Sequence, residues 1–180
     1  MSGASGAILG IRLLEILKAY PEWESHLVIS KGAELTIADE TNYALSQVRE
    51  LADKVYDNNN PGESIASGTF RAEGMIIVPC SMKTAAGIAH GYSDNLLLRA
   101  ADVTLKERRK LVVAARENPL STIHLRNLLA LAEAGAFIMP PVMTYYNRPV
   151  NLEDMNYQII GRLLDKFGLS IDGFKRWRDE

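Results

Sequence analysis

Gly74-Met75-Ile76-Ile77-Val78-Pro79 is the stretch on which the fold turns. Four apolar side chains stand in a row between Gly74 and Pro79, at strand length and without polar alternation. That is the pattern of a strand covered on both faces. Lys110-Leu111-Val112-Val113-Ala114-Ala115 repeats it, and His26 to Ser30 and Ala136 to Met139 are shorter versions. Helical spacing fills the intervals. From Gly6 to Tyr20, Ile8, Ile11, Leu14, Ile16 and Leu17 share one side, with Arg12, Glu15 and Lys18 elsewhere, and Pro21 ends the run. Helices are also expected after Ser30 through Leu35 and Ala38, from Asp94 to Arg109, from Ser121 to Ala134, and from Leu152 to Phe167. The last has Asn151 as N-cap and Gly168 just past its end. Asp57 to Gly68, rich in Asn, Pro, Gly and Ser, reads as a surface loop. Strand alternating with helix implies a parallel sheet with right-handed crossovers and helices on both faces. The expected class is therefore α/β, a three-layer, doubly wound, Rossmann-like sheet; a TIM barrel needs eight such units and more residues.

The chain has 180 residues, 47% hydrophobic and 23% charged, with a formal charge of -2. These values predict a single domain over residues 1–180 and exclude a disordered chain. A near-neutral balance gives no electrostatic reason to expect nucleic acid. No apolar run approaches the roughly 18 residues of a membrane span, so no membrane partner is expected. The start lacks a signal-peptide pattern, which makes the cytoplasm the default location. One cysteine, Cys80, excludes an intrachain disulfide and a Cys-rich zinc site. Its apolar surroundings predict a buried, inert thiol. His26 and His90 carry no ligand spacing, so no metal is expected.

Ser2-Gly3-Ala4-Ser5-Gly6 opens the first helix, preceded only by Met1. In doubly wound folds such a loop is delivered by the first strand. That strand is expected to be missing from this chain, leaving its neighbours' backbone groups exposed. Gly3 and Gly6 allow a tight turn and offer N–H groups at a helix N-terminus, where an anion is welcome. A plain strand-to-helix turn remains one reading. An NAD site fits poorly, because the spacing is Gly3-x-x-Gly6-x-x-x-Gly10 and the second strand ends in Ser30-Lys31, which suits a phosphate better than a ribose diol. A serine-hydrolase elbow around Ser5 lacks a histidine late in the chain after an acid; His124 is the last and lies in a helical stretch. A flavin mononucleotide site needs hydroxyls, amides and a cation around one phosphate. Ser5, Ser30 and the Cys80-Ser81-Met82-Lys83-Thr84 turn all fall at C-terminal strand ends, the edge where open α/β sheets bind ligands.

Charged residues in the second half suggest another anion site. Arg99 and Lys106 lie seven apart and share a helix face. Arg116-Glu117 follows the strand ending at Ala115, and Tyr145-Tyr146-Asn147-Arg148-Pro149 follows the last strand. Arg162 stands among Ile159, Ile160, Leu163 and Leu164, which predicts a buried guanidinium in want of a counter-anion. Lys110 and Arg148 read as solvated charges.

Taken in order, Gly3-Ala-Ser-Gly6, Leu27-Val-Ile-Ser-Lys31, Pro79-Cys-Ser-Met-Lys-Thr84, Arg99-Ala-Ala-Asp-Val103, Ala115-Arg-Glu117, Pro140-Pro141 and Tyr145-Tyr-Asn-Arg-Pro149 resemble the UbiX-type flavin prenyltransferases. The likeness spans nearly the whole chain. It is nearest to the subgroup whose members are named as the small component of phenolic or hydroxyaryl acid decarboxylases, which shares the Lys175-Arg-Trp177 ending. The resemblance implies an enzyme that joins a dimethylallyl group, from dimethylallyl phosphate, to N5 and C6 of reduced FMN. The prenylated FMN serves a UbiD-type aromatic-acid decarboxylase. It further implies no metal and a homododecamer with sites shared between subunits. By motif, Gly3, Ala4, Ser5, Ser30, Ser81, Met82, Lys83, Thr84 and Arg99 would hold FMN, and Lys106, Arg116, Tyr146 and Arg162 the prenyl phosphate. Ser5, Glu117 and Lys106 would be catalytic. The alternative is a non-catalytic FMN-binding component of a phenolic acid decarboxylase complex. A cysteine decarboxylase of the related flavoprotein group would need a catalytic histidine after the first motif, and the Leu27-to-Lys31 stretch around Ser30 offers none.

Overall fold

The computed structural model describes residues 1–178. Its strands are β1 (His26–Val28), β2 (Lys54–Tyr56), β3 (Gly74–Cys80), β4 (Lys110–Ala115) and β5 (Phe137–Ile138). Its helices are α1 (Ala7–Leu17), α2 (Lys31–Glu40), α3 (Leu45–Glu50), α4 (Met82–Ala89), α5 (Leu96–Lys106), α6 (Thr122–Glu133) and α7 (Leu152–Leu164). Every strand pairing is parallel: β1 with β2, and β3 with β4 with β5. The apolar runs behave as doubly covered strands must. Along β4, Leu111, Val113 and Ala115 join Ala85, Ile88, Leu97, Ala101 and Leu131 under α4, α5 and α6. Val112 and Ala114 point the other way, onto Leu9 and Leu13 of α1 and Ile160, Leu163 and Leu164 of α7. This is the expected three-layer, doubly wound α/β fold.

β1 and β3 do not pair with each other. At their C-terminal ends Met1 and Ser2 bridge the gap as a strand would. The Met1 amine donates to Val28 O at 2.8 Å, Ser30 N donates to Met1 O at 3.1 Å, and Ser2 N donates to Pro79 O at 3.1 Å. Below Met1 the two strands flank a cavity of about 1000 Å³. Its walls include Leu13 and Leu17 of α1, Leu27 of β1, Met75 and Ile76 of β3 and Val103 of α5. Its position is that of the strand expected ahead of the glycine-rich loop.

Helix starts are set by short polar caps. Ser30, Ser81, Asn95, Ser121 and Asn151 each accept a hydrogen bond from an amide of the first turn. Such a cap contributes about 1 kcal/mol. Three elements escape the sequence pattern. α3 is six residues long, and β2 is a half-exposed strand of three, both too short to show a period. α4 begins directly after β3, so the segment read as a Ser81–Thr84 turn is the first turn of a helix.

Candidate functional site

Three helices, α1, α2 and α4, begin at the C-terminal edge of β1 and β3, and their N-termini crowd together. Gly3 lies so close to Gly32 that a Cβ on it would meet the Gly32 backbone at 2.8 Å. Only glycine permits that approach, which brings the Ser5 loop against the start of α2. Gly6 takes φ 104°, a left-handed conformation that turns the chain into α1. Ser5 is exposed, and its hydroxyl makes no hydrogen bond among the described residues.

The Ser30 and Ser81 hydroxyls cap their helices, and those of Ser2, Ser81 and Thr84 are linked to one another. Ser30 Oγ accepts from Ala33 N at 3.2 Å. Ser81 Oγ accepts from Thr84 N at 3.3 Å and donates to Thr84 Oγ1 at 3.1 Å. The buried Ser2 hydroxyl accepts from Ser81 N at 2.8 Å, tying the glycine loop to the α4 turn. Met82 and Thr84 are buried and Lys83 is exposed. Arg116 is drawn to the same edge, because its N donates to Cys80 O at 3.0 Å. Glu117 beside it is exposed, with Oε1 accepting from Asn118 N at 3.1 Å. Burial pushes the Cys80 thiol up to about 12, so it is a packing residue and no nucleophile.

One expectation is corrected here. The α1 N-terminus is not open to an outside anion, because Glu40 Oε2 already accepts from Gly6 N at 2.8 Å and Ala7 N at 3.2 Å. Glu40 ends α2, where an acid opposes that helix's own dipole. Its misplacement there was the available signal, and the pairing with α1 resolves it. The hydroxyls of Ser30, Ser81 and Thr84 stand at this edge with the first-turn amides of α2 and α4 that the caps do not use, a donor set for an anion. A mononucleotide phosphate fits that donor set.

Of the second group of expected residues, Lys106 stands apart from the edge that carries Ser81 and Arg116. Arg99, in the first half of α5, pairs with Asp102 at 2.8 Å. Lys106 ends α5 and pairs with Glu107, and both side chains crowd Gly68, shortly before β3 begins. The 11 residues of α5 span about 16 Å, so Lys106 lies at the opposite edge of the sheet from Ser81. Arg162 is also corrected: it is 56% exposed and bonded to Asp165 at 2.9 Å, not buried. The α7 core stripe is carried by Ile160, Leu163 and Leu164, which turns position 162 outward. Tyr146 is partly exposed and stands over α7, within 3.2 Å of Gln158 Nε2. Gln158, Glu40 and Ser2 are neighbours of the site that sequence spacing did not single out.

A parallel α/β sheet whose C-terminal edge collects capped hydroxyls and helix N-termini defines a mononucleotide binder of the doubly wound class. The sequence pattern of the family described as Flavoprotein matches residues 1–160, and the chain belongs to that family. The flavin prenyltransferase UbiX of Escherichia coli K12 is 49% identical over 180 residues, 99% of this chain and 95% of that protein. The crystal structure of AnUbiX (PadA1) in complex with FMN and dimethylallyl pyrophosphate matches with a TM-score of 0.97 and 52% identity. It covers 100% of this chain and 95% of that one. A dodecameric FMN-dependent UbiX-like decarboxylase from Escherichia coli O157:H7 matches with a TM-score of 0.96 and 48% identity, over 99% of this chain and all of that one. Among the described residues no cluster of His, Cys, Asp and Glu suits a metal ion. No helix among them is long and apolar enough to cross a membrane.

Proposed function

We propose that this protein is a flavin prenyltransferase, acting as one FMN-binding domain over residues 1–180. It joins a dimethylallyl group from dimethylallyl phosphate to reduced FMN and supplies the product to a UbiD-type aromatic-acid decarboxylase in the cytoplasm. The observation that carries this is the 52% identity, at a TM-score of 0.97 over the whole chain, to a protein solved with FMN and dimethylallyl pyrophosphate.

When bound, reduced FMN supplies N5 and C6 as the atoms to which the five-carbon unit is joined. Ser30, Ser81 and Thr84 hold the flavin phosphate at the starts of α2 and α4, with Gly3, Ala4, Met82, Lys83 and Arg99 completing that side of the site. Ser5 faces N5. Arg116, Tyr146 and Arg162 bind the prenyl phosphate. As the allylic C–O bond breaks, its electron pair leaves with the phosphate, and the fixed cations Arg116 and Arg162 stabilise the growing negative charge more in the transition state than in the ground state, while Tyr146 holds the phosphate alike in both. Glu117 and Ser5 carry the N5 proton toward the departing phosphate.

Lys106 sits at the far edge of its own sheet, so it reaches a prenyl phosphate only from a second copy. Exposed apolar side chains support such an assembly: Ile123, Leu125 and Leu129 on α6, and Val142, Val150 and Leu152 around the start of α7. The oligomer we propose is a homododecamer. The deciding experiment mixes the protein anaerobically with reduced FMN and dimethylallyl phosphate and weighs the flavin by mass spectrometry. A flavin heavier by one C5H8 unit is expected; unchanged flavin on protein with FMN demonstrably bound overturns the reading.

A further inference from the structure

Gln158 is 5% exposed, midway along α7, yet its amide serves two other segments. Nε2 donates to Lys175 O at 2.6 Å and to the Tyr146 hydroxyl oxygen at 3.2 Å. Oε1 accepts from Lys175 N at 3.2 Å. The paired bonds to Lys175 decide which end of the amide is nitrogen. Turning it over would set Oε1 against a carbonyl and Nε2 against an N–H. The second Nε2 proton must therefore face Tyr146, whose oxygen accepts it. The phenol's own proton is then directed elsewhere.

Residues around Tyr146 hold the same arrangement. Trp177 packs at right angles to its ring, centroids 5.5 Å apart. Lys175 Nζ donates to Asn147 O at 3.4 Å, and the Tyr157 hydroxyl donates to Asp172 O at 2.6 Å. Segment 172–178 thus lies across Tyr146 and is held to α7 through Gln158. Arg162 follows Gln158 by one helical turn, on the same side of α7.

We infer that Gln158 is a positioning residue that makes Tyr146 a hydrogen-bond donor and latches segment 172–178 over it. The inference rests on the reading of Tyr146 and Arg162 as holders of the prenyl phosphate. A phosphate dianion only accepts hydrogen bonds, so a phenol turned to donate is the form it needs. Glutamate at 158 would reverse this. Its carboxylate would draw in the phenol proton and repel the Lys175 carbonyl.

The test uses the FMN-loaded protein and dimethylallyl monophosphate. Q158E should raise KM for the prenyl phosphate about tenfold, the scale of one charge-assisted hydrogen bond, with kcat within twofold and FMN affinity unchanged. Added to Y146F, Q158E should cost little more, because the two act as a unit. Trypsin cleavage after Lys175 should accelerate in Q158E and Q158L. A wild-type KM in Q158E, or losses that multiply in the double variant, would overturn the inference. Should the wild type transfer no prenyl group, the trypsin comparison still decides the latch: faster cleavage in both variants supports it, and unchanged cleavage rejects it.

Discussion

Joining about six apolar residues ahead of Met1 should stabilise this protein and change how its stability responds to pH. The reasoning starts from the gap between β1 and β3. The Met1 amine is buried there against Val28 O, and burial pushes its pKa from 8.0 down to about 6. A base with a depressed folded-state pKa contributes stability above its unfolded pKa and loses it as pH falls through the folded one. Between pH 8 and pH 6 the unfolded chain binds a proton that the folded chain refuses. Two units correspond to about 3 kcal/mol lost over that window. An extension turns the amine into an amide, which removes this loss. It also places a strand about 20 Å long in the cavity of about 1000 Å³. Each apolar side chain buried there gains roughly 1.5–3 kcal/mol, and each ladder bond about 1 kcal/mol. Ordering each residue costs about 1–2 kcal/mol, leaving a net gain on the order of 5 kcal/mol. At 2–4 °C per kcal/mol for a chain of this size, Tm should rise by about 10–20 °C. Calorimetry of both forms at pH 8 and pH 6 measures both effects. An extended protein with no gain in Tm, and the same loss of stability between those pH values, would refute the account of the gap.

Other outcomes follow from the site. Glu117→Ala should lower prenyl transfer by about 100-fold or more while FMN stays bound, as loss of a general acid–base group does; retained transfer, read by mass spectrometry of the flavin, would favour the non-catalytic FMN-carrier alternative. Ser81→Ala removes the α4 cap and the hydroxyl bond to Thr84 while its backbone N–H stays on Ser2, so stability should fall by about 1 kcal/mol in urea unfolding and FMN affinity should fall with it. Cys80, with its thiol pushed up to about 12, should resist iodoacetamide at pH 8 in the folded protein and react once unfolded; rapid labelling of the native protein would contradict its burial. Leu129→Glu on the exposed face of α6 should shift the particle to a smaller size in light scattering, and an unchanged mass would remove α6 from the proposed interface.

The composition and order of the apolar runs were enough to place β3, β4 and α5 to α7, because a doubly covered strand and an amphipathic helix write their periods into the chain directly. The Asn151 cap of α7 was legible for the same reason: a cap bonds to an amide two or three residues away. α3, β2 and α4 were not, since elements of three to eight residues draw their stability from neighbours distant in sequence.

By itself the sequence determined the parallel α/β class, the edge carrying Ser5, Ser30 and Ser81, and the family resemblance. Tertiary structure alone decided that Glu40 fills the α1 N-terminus, that Arg162 points outward, and that Lys106 stands at the opposite edge from Ser81. Spacing reports which side of its own helix a residue occupies. The direction of that helix against the sheet, and the partner a carboxylate finds across it, arise only when the layers pack.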